Sequence, residues 1–278
     1  MTPKECLHRI PGFSQAVIVR QISAGPASDG FLIEHAGSQY VLRIDRPVAT
    51  ILGLDRDTEA TITAAMGEEG IGPRLSFADP GAGVLVTEYL PGRNWLVTDF
   101  SHPENLQRLA LLLRRLHGLQ AIGKPFALRS NLARYVGLVA TAEAQQIAGE
   151  ADILLRRLSA DHSRLCLCHN DLTSANILDT GSLRLIDWEY AAIGDPCFDL
   201  ATVIQHHGLA EGQVECLLTA YKNPVSDEDR HHLRRYCKLY DRVLALWLLA
   251  IGCNTDLDPE QVEQLAGVRS RIAQGPLL

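Results

Sequence analysis

Apolar residues fall in short, β-branched runs through the first third of the chain and in helical stripes through most of the rest. The runs Ala16–Ile22, Phe31–Glu34 and Gln39–Ile44 predict three strands. They are joined by a loop of small residues, Ser23 to Gly30, and by the turn His35-Ala36-Gly37-Ser38, which makes an antiparallel meander. Residues 1–12 read as a lead-in or first helix. Asp55 to Met66 reads as a helix, with Ala60, Ile62, Ala64, Ala65 and Met66 apolar. Arg74–Ala78 and Val84–Tyr89 form a further strand pair around Asp79-Pro80-Gly81-Ala82-Gly83, and Pro91-Gly92 ends it.

Beyond that point the period changes. Ser101-His102-Pro103-Glu104 reads as a capping box, and Leu106, Leu109, Leu112, Leu113 and Leu116 form one buried stripe behind it. A long helix is expected within residues 132–158, with a break near Gly149. Helices follow at Val203–Ala220 and Asp229–Ile251, with a last helix and a frayed tail from Asp256. Two short apolar runs interrupt the helices, Leu165–Cys168 and Leu183–Ile186. The cluster Asp179-Thr180-Gly181-Ser182 is expected to fold the second beside the first as a hairpin. The pattern predicts an α+β chain whose strands give way to helices near residue 91, dividing it into 1–91 and 92–278.

Each of those two runs empties into an acidic loop: His169-Asn170-Asp171 after the first, Asp187-Trp188-Glu189 after the second, with Asn176 five positions beyond Asp171. Two carboxylates and a carboxamide make an oxygen-rich set that suits Mg²⁺, which needs few protein ligands when substrate phosphates supply others. The spacing H-x-D-x-x-x-x-N matches the kinase catalytic loop, in which Asp is base or orienter and Asn binds metal. Asp-x-x-x-x-Asn alone is common in turns; both loops with trailing Asp195-Pro196 and Asp199 are much rarer together.

The stretch HNDLTSANIL followed by LIDWEYAAIGDPCFDLA resembles the aminoglycoside phosphotransferase and choline kinase superfamily, small-molecule kinases related in fold to protein kinases. The resemblance implies a protein kinase-like, two-lobed fold: an N-terminal antiparallel sheet with one helix, then a mostly helical lobe. It implies ATP and Mg²⁺ as cofactors, Asp171 as the catalytic residue, and Asn176 and Asp187 as metal ligands. Arg43 takes the place of the phosphate-pairing lysine, with Arg46 as its alternate, and Glu59 braces it, with Asp57 as competitor. Ser28 lies in the small-residue loop that would cover phosphates, and backbone groups of Glu88, Tyr89 and Leu90 would meet the adenine edge. Asp199 would accept backbone N–H bonds from the catalytic loop. His169-Asn170-Asp171 leans toward choline or ethanolamine as acceptor, with thiamine and aminoglycosides behind. An acceptor pocket is expected from Glu189, Tyr240, Asp241 and Trp247, where an aromatic face could attract a cation. Asp-Trp-Glu in place of Asp-Phe-Gly, with no Ala-Pro-Glu segment following, disfavours a protein kinase.

Composition narrows this further. The 278 residues carry a formal charge of −7 with 46% hydrophobic and 21% charged residues, as in a globular protein with a sizeable core, and no basic face for nucleic acid is implied. Seven cysteines, irregularly spaced, read as reduced thiols in a cytoplasmic protein. Cys166 and Cys168 share one strand face and read as core. No stretch is apolar enough for a membrane span. The neighbours His206-His207 and His231-His232 diverge on a helix and read as surface. The partner this predicts is a small-molecule alcohol.

Overall fold

The structure is a computed structural model that describes residues 2–158 and 165–275. In chain order its elements are α1 (Pro3–Arg9), β1 (Val17–Ala24), β2 (Ser28–His35), β3 (Ser38–Asp45), α2 (Pro47–Leu52), α3 (Arg56–Glu68), β4 (Leu75–Asp79), β5 (Val84–Glu88) and β6 (Arg93–Asn94). Then come α4 (Pro103–Gly118), α5 (Leu128–Val139), α6 (Ala142–Leu158), β7 (Cys166–Cys168), β8 (Ile177–Asp179), β9 (Leu183–Leu185) and β10 (Ala192–Gly194). The chain closes with α7 (Cys197–His206), α8 (Glu211–Tyr221), α9 (Asp227–Gly252) and α10 (Pro259–Gln274). The tail expected at residues 276–278 lies outside the described residues. The chain is α+β, an antiparallel sheet followed by a mostly helical part.

Contacts divide the chain into two compact units, Met1–Asn94 with Ile177–Tyr190, and Trp95–Asn176 with Ala191–Leu278. Residues 177–190, which the sequence placed in the second domain, pack with the first. The cause is pairing: β8 lies between β6 and β9, and the Leu185 N–H donates to the Ile71 carbonyl at 2.8 Å.

In the first unit the sheet order is β1-β2-β3-β5-β4, all antiparallel. Ile33, Leu42, Val84 and Val86 join Cys6, Leu7, Ile10 and Phe13 in one buried cluster, so α1 and the segment after it cover a sheet face. Asp55 caps α3, accepting from the Thr58 N–H at 3.0 Å, and Glu59, Ile62, Thr63 and Met66 form its buried side. Gly67 lets that helix approach β4 closely, since a Cβ there would lie 2.7 Å from backbone atoms of Pro73 and Arg74. Among the described residues the unit adds one helix, α2, to the lead-in helix and the Asp55–Met66 helix expected. α2 went unforeseen because a six-residue helix carries too little periodicity; Pro47 in its first turn and Gly53 at φ 71° delimit it.

In the second unit α9 packs against α5, α6, α7 and α10, and α4 packs against α8 and β7. The stripe Leu106, Leu109, Leu113 and Leu116 is buried as expected. Four expectations need correction. The hairpin forms between β8 and β9, while β7 pairs with β10. The turn at Thr180–Gly181 closes the nearest apolar run, and the short loop costs less chain entropy than reaching back to β7. Ser101 is no cap: it ends a 3₁₀ turn, Val97–Ser101, and His102 precedes α4 without a side-chain bond. The long helix breaks at Ala140, at φ 51°, where Thr141 Oγ1 accepts from the Ala144 N–H; Gly149 stays helical. The helix expected from Val203 to Ala220 is two, separated at Gly208, at φ 61°.

Candidate active site

The first unit gathers six charges around one point. Arg43, near the end of β3, sends its guanidinium fork to the Glu59 carboxylate of α3, and its Nη1 also donates to Asp187 Oδ1 at 3.1 Å. Glu59 is 2% exposed and is the brace; Asp57 faces solvent, and Arg46 pairs instead with Asp29. At the first residue of α3, Arg56 donates through Nε and Nη2 to both oxygens of Asp45, at 2.8 Å each. Its Nη1 donates to Glu59 Oε2 at 2.7 Å and Glu189 Oε2 at 2.9 Å.

Burial alone would raise the Glu59 carboxyl, but Arg43 and Arg56 hold it below its ordinary value. The outcome differs at Glu189. Burial, then the charge of Asp187, pushes its carboxyl up to about 8 even beside the guanidiniums, because four carboxylates here share two cations. That surplus is what a hard dication offsets. Asp187 is the carboxylate able to reach it: its side chain is 35% exposed, against 2% for Glu59 and 10% for Glu189. Asp187 sits at φ 65°, a left-handed conformation uncommon outside glycine, which turns the chain sharply after β9. The donor chemistry thus fits a Mg²⁺ ion.

The predicted nucleotide contacts in this unit are partly corrected. The Glu88 and Tyr89 N–H groups are already committed, to the Arg74 and Gln39 carbonyls at 2.9 and 3.0 Å. Those two N–H groups are therefore not the ones a base edge would meet. Ser28 opens β2 rather than lying in the loop, and its carbonyl accepts from the Gly25 N–H.

The second unit carries the other loop. Asp199, fully buried in the first turn of α7, accepts from the backbone N–H of His169 at 2.9 Å and of Asn170 at 2.7 Å. His117 Nε2–H donates to the same carboxylate at 3.0 Å, and its Nδ1 accepts from the Tyr221 hydroxyl at 2.8 Å. His117 is therefore structural, as expected. With that anchor, Asn170 takes φ 64° and the loop turns outward to Asp171. Asn176 Nδ2 donates to the Asp171 carbonyl at 2.9 Å and to Asp171 Oδ2 at 2.8 Å. These bonds fix the Asp171 side chain and commit the amide nitrogen, so the amide oxygen is what Asn176 has to offer a cation.

The α9 residues fall out differently from one another. Tyr240 is buried beside Phe198, its hydroxyl 3.1 Å from His206 Nδ1, and burial and then the Asp171 charge keep that hydroxyl protonated. Trp247, two turns on, is half-buried. Asp241 is a correction: buried, it accepts from Gln205 and from both Nε and Nη2 of Arg271, so its charge is already offset. Glu189 ties down its own loop through Arg56. The cysteines Cys166 and Cys168 are buried with their sulfurs 3.8 Å apart, which agrees with a core role.

Sequence reasoning missed four residues. Arg56 and Asp45 belong to the charge cluster; the (i, i+3) spacing of Arg56 and Glu59 was the one local signal. His207 is not surface: its ring stacks on Phe100, and Nε2–H donates to the Leu172 carbonyl, next to Asp171. His232 is not surface either, bonding Asp195 at 2.7 Å. Burial and then Arg271 lower His206 to about 4, and burial and then His206 lower His207 to about 3. Unfolded imidazoles protonate near 6.5, so the unfolded state binds more protons between that pH and the folded values. Stability is complete above about pH 7 and falls by a few kcal/mol toward pH 4. Urea midpoints at pH 7.5 and 4.5 test this: His207→Gln should show a shallower fall than the parent, and equal slopes would refute it.

The family model described as phosphotransferase enzyme family matches residues 18–236. The chain belongs to this family. It is 29% identical to Protein LicA of Haemophilus influenzae over 214 residues, 73% of this chain and 62% of that protein, so it spans less than two thirds of that relative. It is 31% identical to a thiamine kinase of Salmonella paratyphi B over 234 residues, 78% of this chain and 77% of that one. In fold it is similar to a LicA solved in complex with AMP, with a TM-score of 0.80 at 22% identity, covering 97% of each chain. Among the described residues no helix is long and apolar enough to cross a membrane.

Proposed function

We propose that this phosphotransferase moves the γ-phosphate of ATP to the hydroxyl of a small cationic alcohol, choline- or ethanolamine-like. The observation that carries the reading is Arg43 bonded at once to Glu59 and Asp187, the arrangement that holds a phosphate-binding cation and a metal-binding carboxylate in register. A bound Mg²⁺ would neutralise phosphate charge, held by Asp187 and the Asn176 oxygen. Asp171, its carboxylate oriented by Asn176, hydrogen-bonds the acceptor hydroxyl and takes its proton as the phosphoryl group transfers. Arg43 holds phosphate oxygens, and the Leu90 amide meets the base edge. Catalysis is positioning and charge neutralisation.

Support for the acceptor comes from the relatives, a probable choline kinase of Arabidopsis thaliana (29% identical over 53% of this chain) and the thiamine kinase, since choline and thiamine are both cations bearing a primary alcohol. Thiamine is the second reading, favoured by the match over 78% of this chain. With Asp241 paired to Arg271, cation selection falls to aromatic faces, Tyr240 and Trp247 among them. Coupled ADP release across choline, ethanolamine, thiamine, kanamycin and an anionic sugar phosphate is the test. A cationic alcohol should exceed an anionic sugar about 100-fold in kcat/KM, some 2.7 kcal/mol of transition-state discrimination. ATP-induced thermal stabilisation with no transfer to any acceptor would instead mark a nucleotide-binding protein without catalysis.

A further inference from the structure

We infer that Arg56 is a positioning residue for the second acidic loop, a brace parallel to Arg43; this rests on Asp187 having the role given above. Arg56 carries a full charge yet its side chain is only 9% exposed. A buried charge of this kind needs one partner to be tolerated. Arg56 has three, on three separate segments: Asp45 at the end of β3, Glu59 in α3 and Glu189 in the loop after β9.

The geometry of the guanidinium explains the choice of residue. Asp45 takes Nε and Nη2 as a parallel fork, which fixes the plane of the group. Nη1 is then left aimed at Glu59 and Glu189. Lysine could supply the charge but not the plane, because its ammonium is a point charge on a flexible stem.

The loop needs such a hold. Asp187 stands at φ 65°, a conformation that for a residue with a Cβ persists only when its surroundings over-determine it. Arg43 grips Asp187 itself; Trp188, 1% exposed, is buried next to it; Arg56 grips Glu189 on the far side. The three residues are thus pinned one after another. Releasing Glu189 frees one end of a strained turn whose middle aims Asp187. Asp45 reaches the loop through Arg56, so it provides a second handle.

The experiment compares the full chain with Arg56→Lys, Asp45→Asn and the double variant. Amide hydrogen exchange is read first, without substrate, over residues 183–190. Each single variant should speed exchange there about tenfold or more, leaving β1 and β2 unchanged. In steady-state kinetics kcat should fall about tenfold, with KM for ATP within about threefold of the parent. The double variant should be no worse than the worse single one, because both act through one contact. Parental exchange and kcat in Arg56→Lys would overturn the inference. So would additive losses in the double variant, or a lowered melting temperature with kcat and local exchange untouched. A parent that transfers no phosphate would instead refute the proposed function, and the exchange arm would still decide whether Arg56 braces the loop.

Discussion

Asp171→Asn yields a protein that folds as the parent does and turns over about 10³-fold more slowly. The side chain is partly exposed, so the fold does not depend on its burial. The carboxylate accepts from Asn176 Nδ2 at 2.8 Å, and an asparagine can still present an amide oxygen there. What it cannot do is take a proton. General-base contributions of about 10²–10⁴ set the size of the loss. KM for ATP should change little, because the role proposed for Asp171 is at the acceptor hydroxyl. Steady-state ADP release with a thermal melt alongside reads both quantities. Turnover within about tenfold of the parent would remove Asp171 from the chemistry.

Asp199→Ala should cost stability as well as rate. Asp199 is fully buried and accepts from His169 N–H, Asn170 N–H and His117. Without it, two backbone donors and an imidazole lose their partner at the base of the catalytic loop. Leaving a buried donor without its partner costs about 1–3 kcal/mol. The His169–Asn170 turn, with Asn170 at φ 64°, should relax toward commoner backbone, moving Asp171. Denaturant midpoints check the first effect and kcat the second. A loss under about 1 kcal/mol would mean the loop is held by other groups, of which the bond from His207 to the Leu172 carbonyl is one.

Much of the fold was written in local pattern. The leucine stripe of α4 states its buried face in a single turn-by-turn period, and β2 and β3 announce themselves by β-branched runs around a four-residue turn. Both acidic loops were visible from residue type and spacing, since each follows a short apolar run. What sequence could not show is where long-range partners meet. Arg56 looked like any solvent-facing cation at a helix start, because Asp45 and Glu189 reach it only through sheet and loop packing. Asp241 looked like a free charge on α9, because Arg271 arrives from another helix. The β8–β9 hairpin was misassigned because two apolar residues, Ile177 and Leu178, are too few to read as a strand. His206 and His207 do diverge, as neighbours on a helix must, yet each meets packed chain: Tyr240 for one, Phe100 and Leu172 for the other.

Magnesium dependence of ADP release in the parent and in Asp187→Asn tests the central claim most directly. The parent, given ATP and choline, ethanolamine or thiamine, should show turnover that rises with Mg²⁺ and vanishes on chelation. Asp187→Asn, with an unchanged melting profile, should lose that metal-dependent turnover. Parental activity in the variant at the same Mg²⁺ concentration would contradict the account.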